Sequence, residues 1–219
     1  MNTKNATQTT IAALTIAAAA GISSADIMSS SPTVSVANGT FMTADLTHNS
    51  FESDDFVRLY RERTAYTLPS TLKLDVTATG SGGGNDFSVG NLQAGEQIRS
   101  YFLHFVPAAS STVTLSGGFQ LTSNEEIVGI IFSEARMAAA DSIVGRSGVT
   151  YPTSFASRGY DANNDFWTIS ANRSTFQFTM QAGLNGLDQA RIITRQVPAP
   201  GALAMCGLGG LVAAKRRRK

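Results

Sequence analysis

The residues best spaced for metal chemistry are Asp161, Asn163 and Asp165, which alternate along one short polar segment. Alternate residues of a loop can direct their oxygen atoms at a single hard cation, and Ca²⁺ prefers oxygen ligands. The remainder of an EF-hand loop is missing, because Phe166 stands where that loop has its turn glycine and Asn172 where it has its bidentate Glu. Two interpretations stay open: a calcium site in a β-sandwich loop, or a solvated turn closed by Asx hydrogen bonds. No other cofactor is predicted.

Residues that could act in catalysis lack a supporting motif. Glycoside hydrolysis needs two carboxyl groups facing each other across a cleft, and sequence spacing does not establish such a pair. The candidates are Glu62, Glu125, Glu126 and Glu134. The histidines are His48, in a polar stretch, and His104, in the most strand-like segment. A catalytic triad needs a base oriented by an acid beside a nucleophile, and no Gly-x-Ser-x-Gly motif is present. We therefore predict no catalytic residue and expect His104 to be a hydrogen-bonded structural residue.

Aromatic residues near predicted loops could bind sugars. Tyr151, Tyr160 and Trp167 are the candidates for stacking on a sugar ring, since binding residues concentrate in loops. Core packing is the alternative role for Trp167, because its predicted strand also contains Ile169.

Composition narrows the classes of function. Hydrophobic content is 42% over 219 residues and charged content is only 15%, a balance common in secreted β proteins. Of the 17 basic residues, six lie at the two ends, so residues 26–197 carry 11 basic and 16 acidic side chains, a net charge of about −5. A nucleic-acid partner would require a basic face and is not expected. The only cysteine, Cys206, lies in an apolar C-terminal run, which excludes a disulfide within the domain and a zinc-ribbon site.

The N-terminus predicts export. Lys4 provides a weakly positive start, residues 11–22 form an apolar stretch of signal-peptide length, and small residues lead up to Ala25. This order is typical of a secretory signal peptide, here residues 1–25, which signal peptidase would cleave between Ala25 and Asp26. The alternative, a buried N-terminal helix, would require an amphipathic stripe that this Ala-rich segment lacks.

The C-terminus consists of three parts. The first is a proline motif formed by Val197, Pro198, Ala199, Pro200 and Gly201. The second is an apolar run of 13 residues, 202–214, near the lower limit of what spans a bilayer. The third is a basic cluster formed by Lys215, Arg216, Arg217, Arg218 and Lys219. The positive-inside rule would retain this cluster on the cytoplasmic side, so we predict a short transmembrane helix in a tail of residues 198–219.

This tail resembles the PEP-CTERM sorting signal of bacterial surface proteins, in which a Pro-Glu-Pro-type motif precedes a short transmembrane stretch and an Arg-rich end. Ala199 stands where the name motif has Glu. The resemblance covers residues 197–219 and implies an exosortase substrate. Such a protein is processed by an exosortase-like membrane enzyme and then reaches the cell surface or the extracellular matrix. The alternative is a plain C-terminal membrane anchor.

The middle of the chain is similar to a recurrent ectodomain type of PEP-CTERM proteins. The similar segments are 56–63, 100–105, 127–131, 157–160 and 187–194. This second resemblance implies one compact β domain and adds no activity.

Short β-prone runs separated by turn residues fill the middle, and several alternate with the period of a half-buried strand. The predicted strands are 56–61, 71–79, 96–106, 111–122, 126–132, 165–170, 174–181 and 188–194, and the predicted helix is 133–144. Residues 80–86 predict a flexible loop, and residues 116–118 predict a break or bulge in their strand. Many short strands with at most one short helix predict an all-β fold, an antiparallel β-sandwich of jelly-roll type.

These elements divide the chain into a helical signal peptide (1–25), a polar lead-in (26–39) that ends in a short strand around 33–37, a β-sandwich domain (40–197) and a sorting tail (198–219). The leading hypothesis is a non-enzymatic surface or extracellular-matrix protein, transiently anchored in the membrane, that binds extracellular polysaccharide. The competing hypothesis is a secreted carbohydrate-active enzyme, a glycoside hydrolase or lyase, on the same scaffold. A groove with two facing carboxylates would favour the enzyme.

Overall fold

The structure is a computed structural model that describes residues 27–37, 46, 50–108, 111–152, 158–183 and 186–197. Within these ranges the chain forms short strands and one helix. In chain order they are β1 (Ile27–Ser30), β2 (Val34–Ala37), β3 (Val57–Thr67), β4 (Leu72–Leu74), β5 (Gly80–Gly83), β6 (Gly90–Leu92), β7 (Gln97–Phe105), β8 (Val113–Leu121), β9 (Glu125–Ile131), α1 (Glu134–Val144), β10 (Phe166–Ile169), β11 (Thr175–Ala182) and β12 (Asp188–Gln196).

Two five-stranded sheets pack face to face as a β-sandwich. The front sheet has the strand order β1-β8-β11-β10-β5, and the back sheet has the order β2-β3-β7-β12-β9. Strands β4 and β6 form a separate two-stranded sheet. The predicted β-sandwich with one short helix is therefore confirmed. The sandwich is not antiparallel throughout, because β2 pairs with β3 in parallel.

Strand β7 shows how the sequence builds the layers. Tyr101, Leu103 and Phe105 pack into the core between the two sheets. Ile98 and Phe102 pack into a second apolar cluster on the opposite face of the back sheet. The sequence predicts this division, because successive strand residues point to opposite faces and both faces of this strand carry large apolar side chains.

Helix α1 covers the outer face of the back sheet together with β4 and β6. Met137, Ala140 and Val144 are its buried residues, and they belong to the same apolar cluster as Ile98 and Phe102. The back sheet is thus buried on both faces. The outer face of the front sheet instead carries polar side chains that are accessible to solvent.

Both ends of α1 are stabilised by residues from other elements. The Asp75 carboxylate accepts hydrogen bonds from the backbone N–H groups of Phe132 (2.7 Å) and Ser133 (2.8 Å) at the helix start. Arg63 donates to the carbonyl oxygens of Val144 (2.9 Å) and Gly145 at the helix end. An anion at the N-terminus and a cation at the C-terminus complement the helix dipole. They also bind backbone N–H and C=O groups that have no partner within the helix.

Several element predictions need correction. The glycine-rich segment predicted as a flexible loop contains β5, which pairs with β10 along all four of its residues. Gly117 and Gly118 do not interrupt β8, whose pairing with β11 runs in continuous register through both. The predicted polar lead-in contains one strand that was not predicted, β1 at residues 27–30, whereas the short strand predicted around 33–37 is confirmed as β2 at residues 34–37. The predicted strand 71–79 is mostly irregular, since only Leu72–Leu74 is a strand.

Within the described ranges, no helix is long and apolar enough to cross a membrane. The predicted signal peptide, its cleavage site at Ala25 and Asp26, and the tail of residues 198–219 lie outside these ranges. Val197 is described, and its backbone N–H donates to the Asn124 carbonyl oxygen at 2.9 Å.

Candidate functional site

The outer face of the front sheet is built by the alternation of its central strands. In β11, Phe176, Phe178 and Met180 are buried in the core between the sheets. The intervening residues point to the opposite, outer face and are Thr175, Gln177, Thr179 and Gln181. The same alternation in β8 places on this face Thr114, Ser116, Gly118 and Gln120. Both central strands thus present small or amide side chains outward.

Strand register arranges these residues in rows that cross the sheet. One row runs from Gly118 through Gln177 and Thr168 to Ser81. The next row contains Ser116, Thr179, Phe166 and Gly83. Side chains paired in this way lie side by side on one face of the sheet. The front sheet therefore carries an ordered lattice of hydroxyl and amide groups with one aromatic ring in it.

A groove with a cavity volume of about 650 Å³ lies across this lattice. The residues that line it are Ser29, Ser30, Ser31, Ser116, Gly117, Gly118, Phe119, Gln120, Phe166, Trp167, Thr168, Thr175, Gln177, Phe178 and Thr179. Gly118 has no side chain, so the floor of the groove is open at this position, beside Gln177. Known ligand sites in proteins have volumes of about 300–1,000 Å³, so the groove is large enough for a ligand made of a few linked units.

Hydrogen bonds within the rows hold the lattice in place. The hydroxyls of Ser116 and Thr179 lie 2.8 Å apart, and so do the hydroxyls of Ser81 and Thr168. A hydroxyl can donate one hydrogen bond and accept two, so each of these pairs keeps capacity for a ligand. The lattice can therefore exchange hydrogen bonds with a ligand rich in hydroxyl groups while keeping its internal bonds.

The groove is electrically neutral. None of the described residues that line it is ionisable. These residues therefore include no acid, base or nucleophile activated by a neighbouring base, and they are suited to recognition of a polar, uncharged ligand.

The aromatic residues predicted to stack on sugars lie in the interior instead. Tyr151 and Tyr160 are each only 8% exposed and Trp167 is 5% exposed. Trp167 packs into the core and donates its Nε1–H to the Gly83 carbonyl oxygen at 3.1 Å. Phe166 is the exposed aromatic of the groove, with half of its surface accessible. Strand parity identifies it: Trp167 shares the inward face with Ile169, so Phe166 must point outward.

The predicted calcium ligands differ in their surroundings. Asp161 and Asn163 are exposed, whereas Asp165 is fully buried. The Asp165 carboxylate closes a turn by accepting the backbone N–H of Asp161, and it also accepts the Gln181 N–H at 2.7 Å. No group of three or more His, Cys, Asp or Glu residues in the described ranges is placed to hold a metal ion. The calcium site stays a prediction.

The four candidate carboxylates lie apart from the groove. Glu62 is buried against Arg191, and Glu125 is buried against Arg99 and Thr194. The other two lie on the back sheet and in the first turn of α1: Glu126 pairs with Arg195, and Glu134 begins the helix. Residues separated in this way do not form a carboxylate pair across the groove.

His104 is a structural residue, as the sequence predicts. Its Nε2 lies 2.8 Å from the Ser50 carbonyl oxygen and its Nδ1 lies 2.9 Å from the Gln189 amide nitrogen. Nε2–H therefore donates to Ser50 and Nδ1 accepts from Gln189, an arrangement that requires the neutral ring. Burial lowers the pKa of His104 to about 4, in agreement with this neutral form. His48 lies outside the described residues.

Comparison with known proteins finds no family model that matches the chain, and no curated protein or solved structure matches it either.

Proposed function

We propose that this chain is an exported cell-surface or extracellular-matrix protein that binds extracellular polysaccharide through the groove of its front sheet. The observation that carries this proposal is the uncharged lattice of hydroxyl and amide groups beside the exposed ring of Phe166.

Polysaccharide fits this lattice for two chemical reasons. Each sugar ring carries hydroxyls that both donate and accept, and the Ser, Thr and Gln side chains of the groove do the same. The C–H face of a sugar ring is apolar and flat, and an aromatic ring offers a large apolar surface for it. Phe166 lies in the same row as the hydroxyls of Ser116 and Thr179, so one sugar ring can contact both.

Binding is favoured over the alternative of a carbohydrate-active enzyme. Glycosidase chemistry commonly uses two carboxyl groups that flank the scissile bond. The described residues that line the groove include no carboxyl group, and Glu62 and Glu126 pair with arginines outside it. This supports recognition without hydrolysis as the role of the groove.

Replacing Phe166 with alanine should weaken polysaccharide binding about tenfold. Covering the exposed half of the ring with a sugar stabilises the complex by about 1.5 kcal/mol. The measurement is affinity electrophoresis of the purified full-length chain in gels that contain soluble polysaccharide. Phe87→Ala is the matched control, because Phe87 is 49% exposed but is not a groove residue. If both variants lost binding equally, or if Phe166→Ala lost none, the groove would not be the site of polysaccharide binding.

Export and sorting form the second part of the proposal. The support is the signal-peptide pattern of residues 1–25 and the three-part tail of residues 198–219. Signal peptidase and an exosortase-like membrane enzyme are the proposed processing partners. The protein would be held in the membrane only until the tail is processed, and would then reach the cell surface or matrix, where polysaccharide is available.

Replacing Pro198 and Pro200 with alanine should leave membrane insertion intact but block processing, so that full-length protein accumulates in the membrane fraction.

Replacing Lys215–Lys219 with serine should instead let unprocessed protein leak through the membrane, since each basic residue near an anionic inner surface contributes about 1 kcal/mol of attraction. Immunoblots of fractionated cells measure the accumulation of the proline variant in the membrane and the leakage of the variant that lacks the basic cluster. Normal processing of the proline variant would favour a plain membrane anchor.

The jelly-roll type of the sandwich is also a proposal. Strands β7 to β10 alternate between the back and the front sheet, and β11 and β12 lie in different sheets. Repeated crossing between two sheets is typical of jelly rolls and supports that assignment.

A further inference from the structure

We infer that the groove selects neutral glycan chains over acidic ones and that Gln177, at its centre, is a specificity-determining residue. This inference rests on the polysaccharide binding proposed above and specifies its ligand class.

The described residues that line the groove carry no charge. A carboxylate or sulfate that entered the groove would lose part of its hydration, and these residues offer no cation to pair with it. A sugar hydroxyl that enters loses less hydration and regains its hydrogen bonds from neutral donors and acceptors. The net charge of about −5 over residues 26–197 adds a weak repulsion toward polyanions. Neutral glycan chains are therefore the ligands that lose the least hydration free energy, and meet the least charge repulsion, when they bind in the groove.

Gln177 lines the groove from β11, the central strand of the front sheet. Its side chain is exposed, and in the row across the sheet it lies between Gly118 and Thr168. A Cβ atom placed at Gly118 would come within 3.1 Å of the Gln177 Cγ atom. Because residue 118 is a glycine, Gln177 keeps room for its amide over the groove floor. That amide offers both donor and acceptor atoms without charge, which suits a hydroxyl-rich ligand.

The experiment uses the full-length chain with four polymers: dextran and a soluble β-glucan as neutral probes, and alginate and hyaluronan as polyuronates. We expect binding to at least one neutral polymer, a change of less than about twofold between 0.05 and 0.5 M NaCl because no charge is screened, and at least about tenfold weaker binding to both polyuronates. Phe166→Ala should weaken the neutral binding.

Two variants test the role of Gln177. Gln177→Glu is nearly isosteric and should weaken neutral binding by about three- to tenfold through loss of a hydrogen-bond donor. Gln177→Lys should weaken neutral binding similarly and should gain measurable, salt-sensitive binding to alginate. Gln97→Lys, the same type of change at an exposed glutamine of the back sheet that does not line the groove, is the control and should change binding to neither class of polymer.

The outcomes separate the two proposals. Salt-sensitive binding of polyuronates that is lost in Phe166→Ala would overturn the neutral selectivity and leave the polysaccharide function standing. Unchanged neutral binding in both Gln177 variants would overturn the role of that residue. No binding of any polymer would overturn the inference together with the proposed function.

Discussion

Replacing Arg191 with methionine is expected to lower the free energy of unfolding by about 3–5 kcal/mol, the cost of leaving buried carboxylates without their cation. Arg191 is fully buried in β12. Its Nε and Nη2 atoms each donate to one oxygen of Glu62 at 2.8 Å, and Nη2 also lies 2.6 Å from Asp141 in α1. Methionine occupies a similar space but replaces none of these bonds.

The environment of Glu62 explains the size of this effect. Burial alone would raise the pKa of Glu62, but the charge and hydrogen bonds of Arg191, with bonds from Tyr151 and Ser100, lower it below its usual range. Glu62 is therefore ionised in the native protein. Without Arg191 it would be a buried carboxylate with only hydroxyl partners. The aromatic rings of Phe102 and Tyr151, whose centroids lie 4.9 and 5.0 Å from the guanidinium carbon, would also lose their cation.

Arg195→Met is the matched control, because Arg195 lies on the same strand and also pairs with a glutamate. Its side chain is 53% exposed and its contact with Glu126 is 2.7 Å. An exposed pair of this kind contributes only about 0–1 kcal/mol. Urea unfolding followed by Trp167 fluorescence measures both variants. Arg191→Lys should fall between wild type and Arg191→Met, since it keeps the charge but loses the bidentate geometry. Equal stability losses at positions 191 and 195 would contradict the expectation.

This buried network shows where sequence reasoning ends. The alternation of β7 and β11 predicts which residues face the core, because it depends only on neighbouring positions. Glu62 and Arg191 are 129 positions apart, and nothing local marks them as partners. As single charged residues in strands, both look like ordinary surface positions. Their pairing requires that β3, β7 and β12 be neighbours in one sheet with α1 above them.

The groove, too, can be predicted from the sequence only in part. The outward Ser, Thr and Gln residues of β8 and β11 follow from alternation, and Phe166 follows from the parity of β10. The lattice itself depends on pairings that the sequence does not specify, such as the addition of β1 and β5 at the sheet edges. The glycine-rich segment of β5 and the start of the polar lead-in, which contains β1, favour loops by local propensity. They are strands here because neighbouring strands satisfy their backbone hydrogen bonds.

A second buried cluster, formed by Asp165, Asp188 and Tyr160, should make stability depend on pH. The carboxyl groups of Asp165 and Asp188 both face the backbone N–H of Gln181. Asp188 Oδ2 and the Tyr160 hydroxyl are buried and have no hydrogen-bond partner among the described residues. The nearby charges that act on both aspartates are themselves acidic. Two carboxylates in this setting cannot both ionise without cost.

The direction of the pH effect follows from the pKa shifts. Burial raises the pKa of Asp165 to about 6. Burial and the charges of Asp165 and Asp161 raise the pKa of Asp188 well above its usual value. Between the ordinary value of 3.8 and these raised values, the folded chain binds more protons than the unfolded chain. The contribution of this cluster to stability is therefore fully present below about pH 4 and declines as the pH rises through 6 and beyond.

Asp188→Asn should accordingly raise the free energy of unfolding at pH 8 by about 1–3 kcal/mol, because a neutral amide replaces a buried carboxyl group whose Oδ2 has no hydrogen-bond partner among the described residues. At pH 3, below the ordinary value of 3.8, Asp188 is mostly protonated in both states, so wild type and variant should differ little. Thermal unfolding of both proteins across this pH range measures the difference. Asp55→Asn, the same change at an exposed aspartate, should show no such trend. A destabilised Asp188→Asn protein at pH 8, or a difference that does not grow with pH, would show that Asp188 is stabilised as a carboxylate.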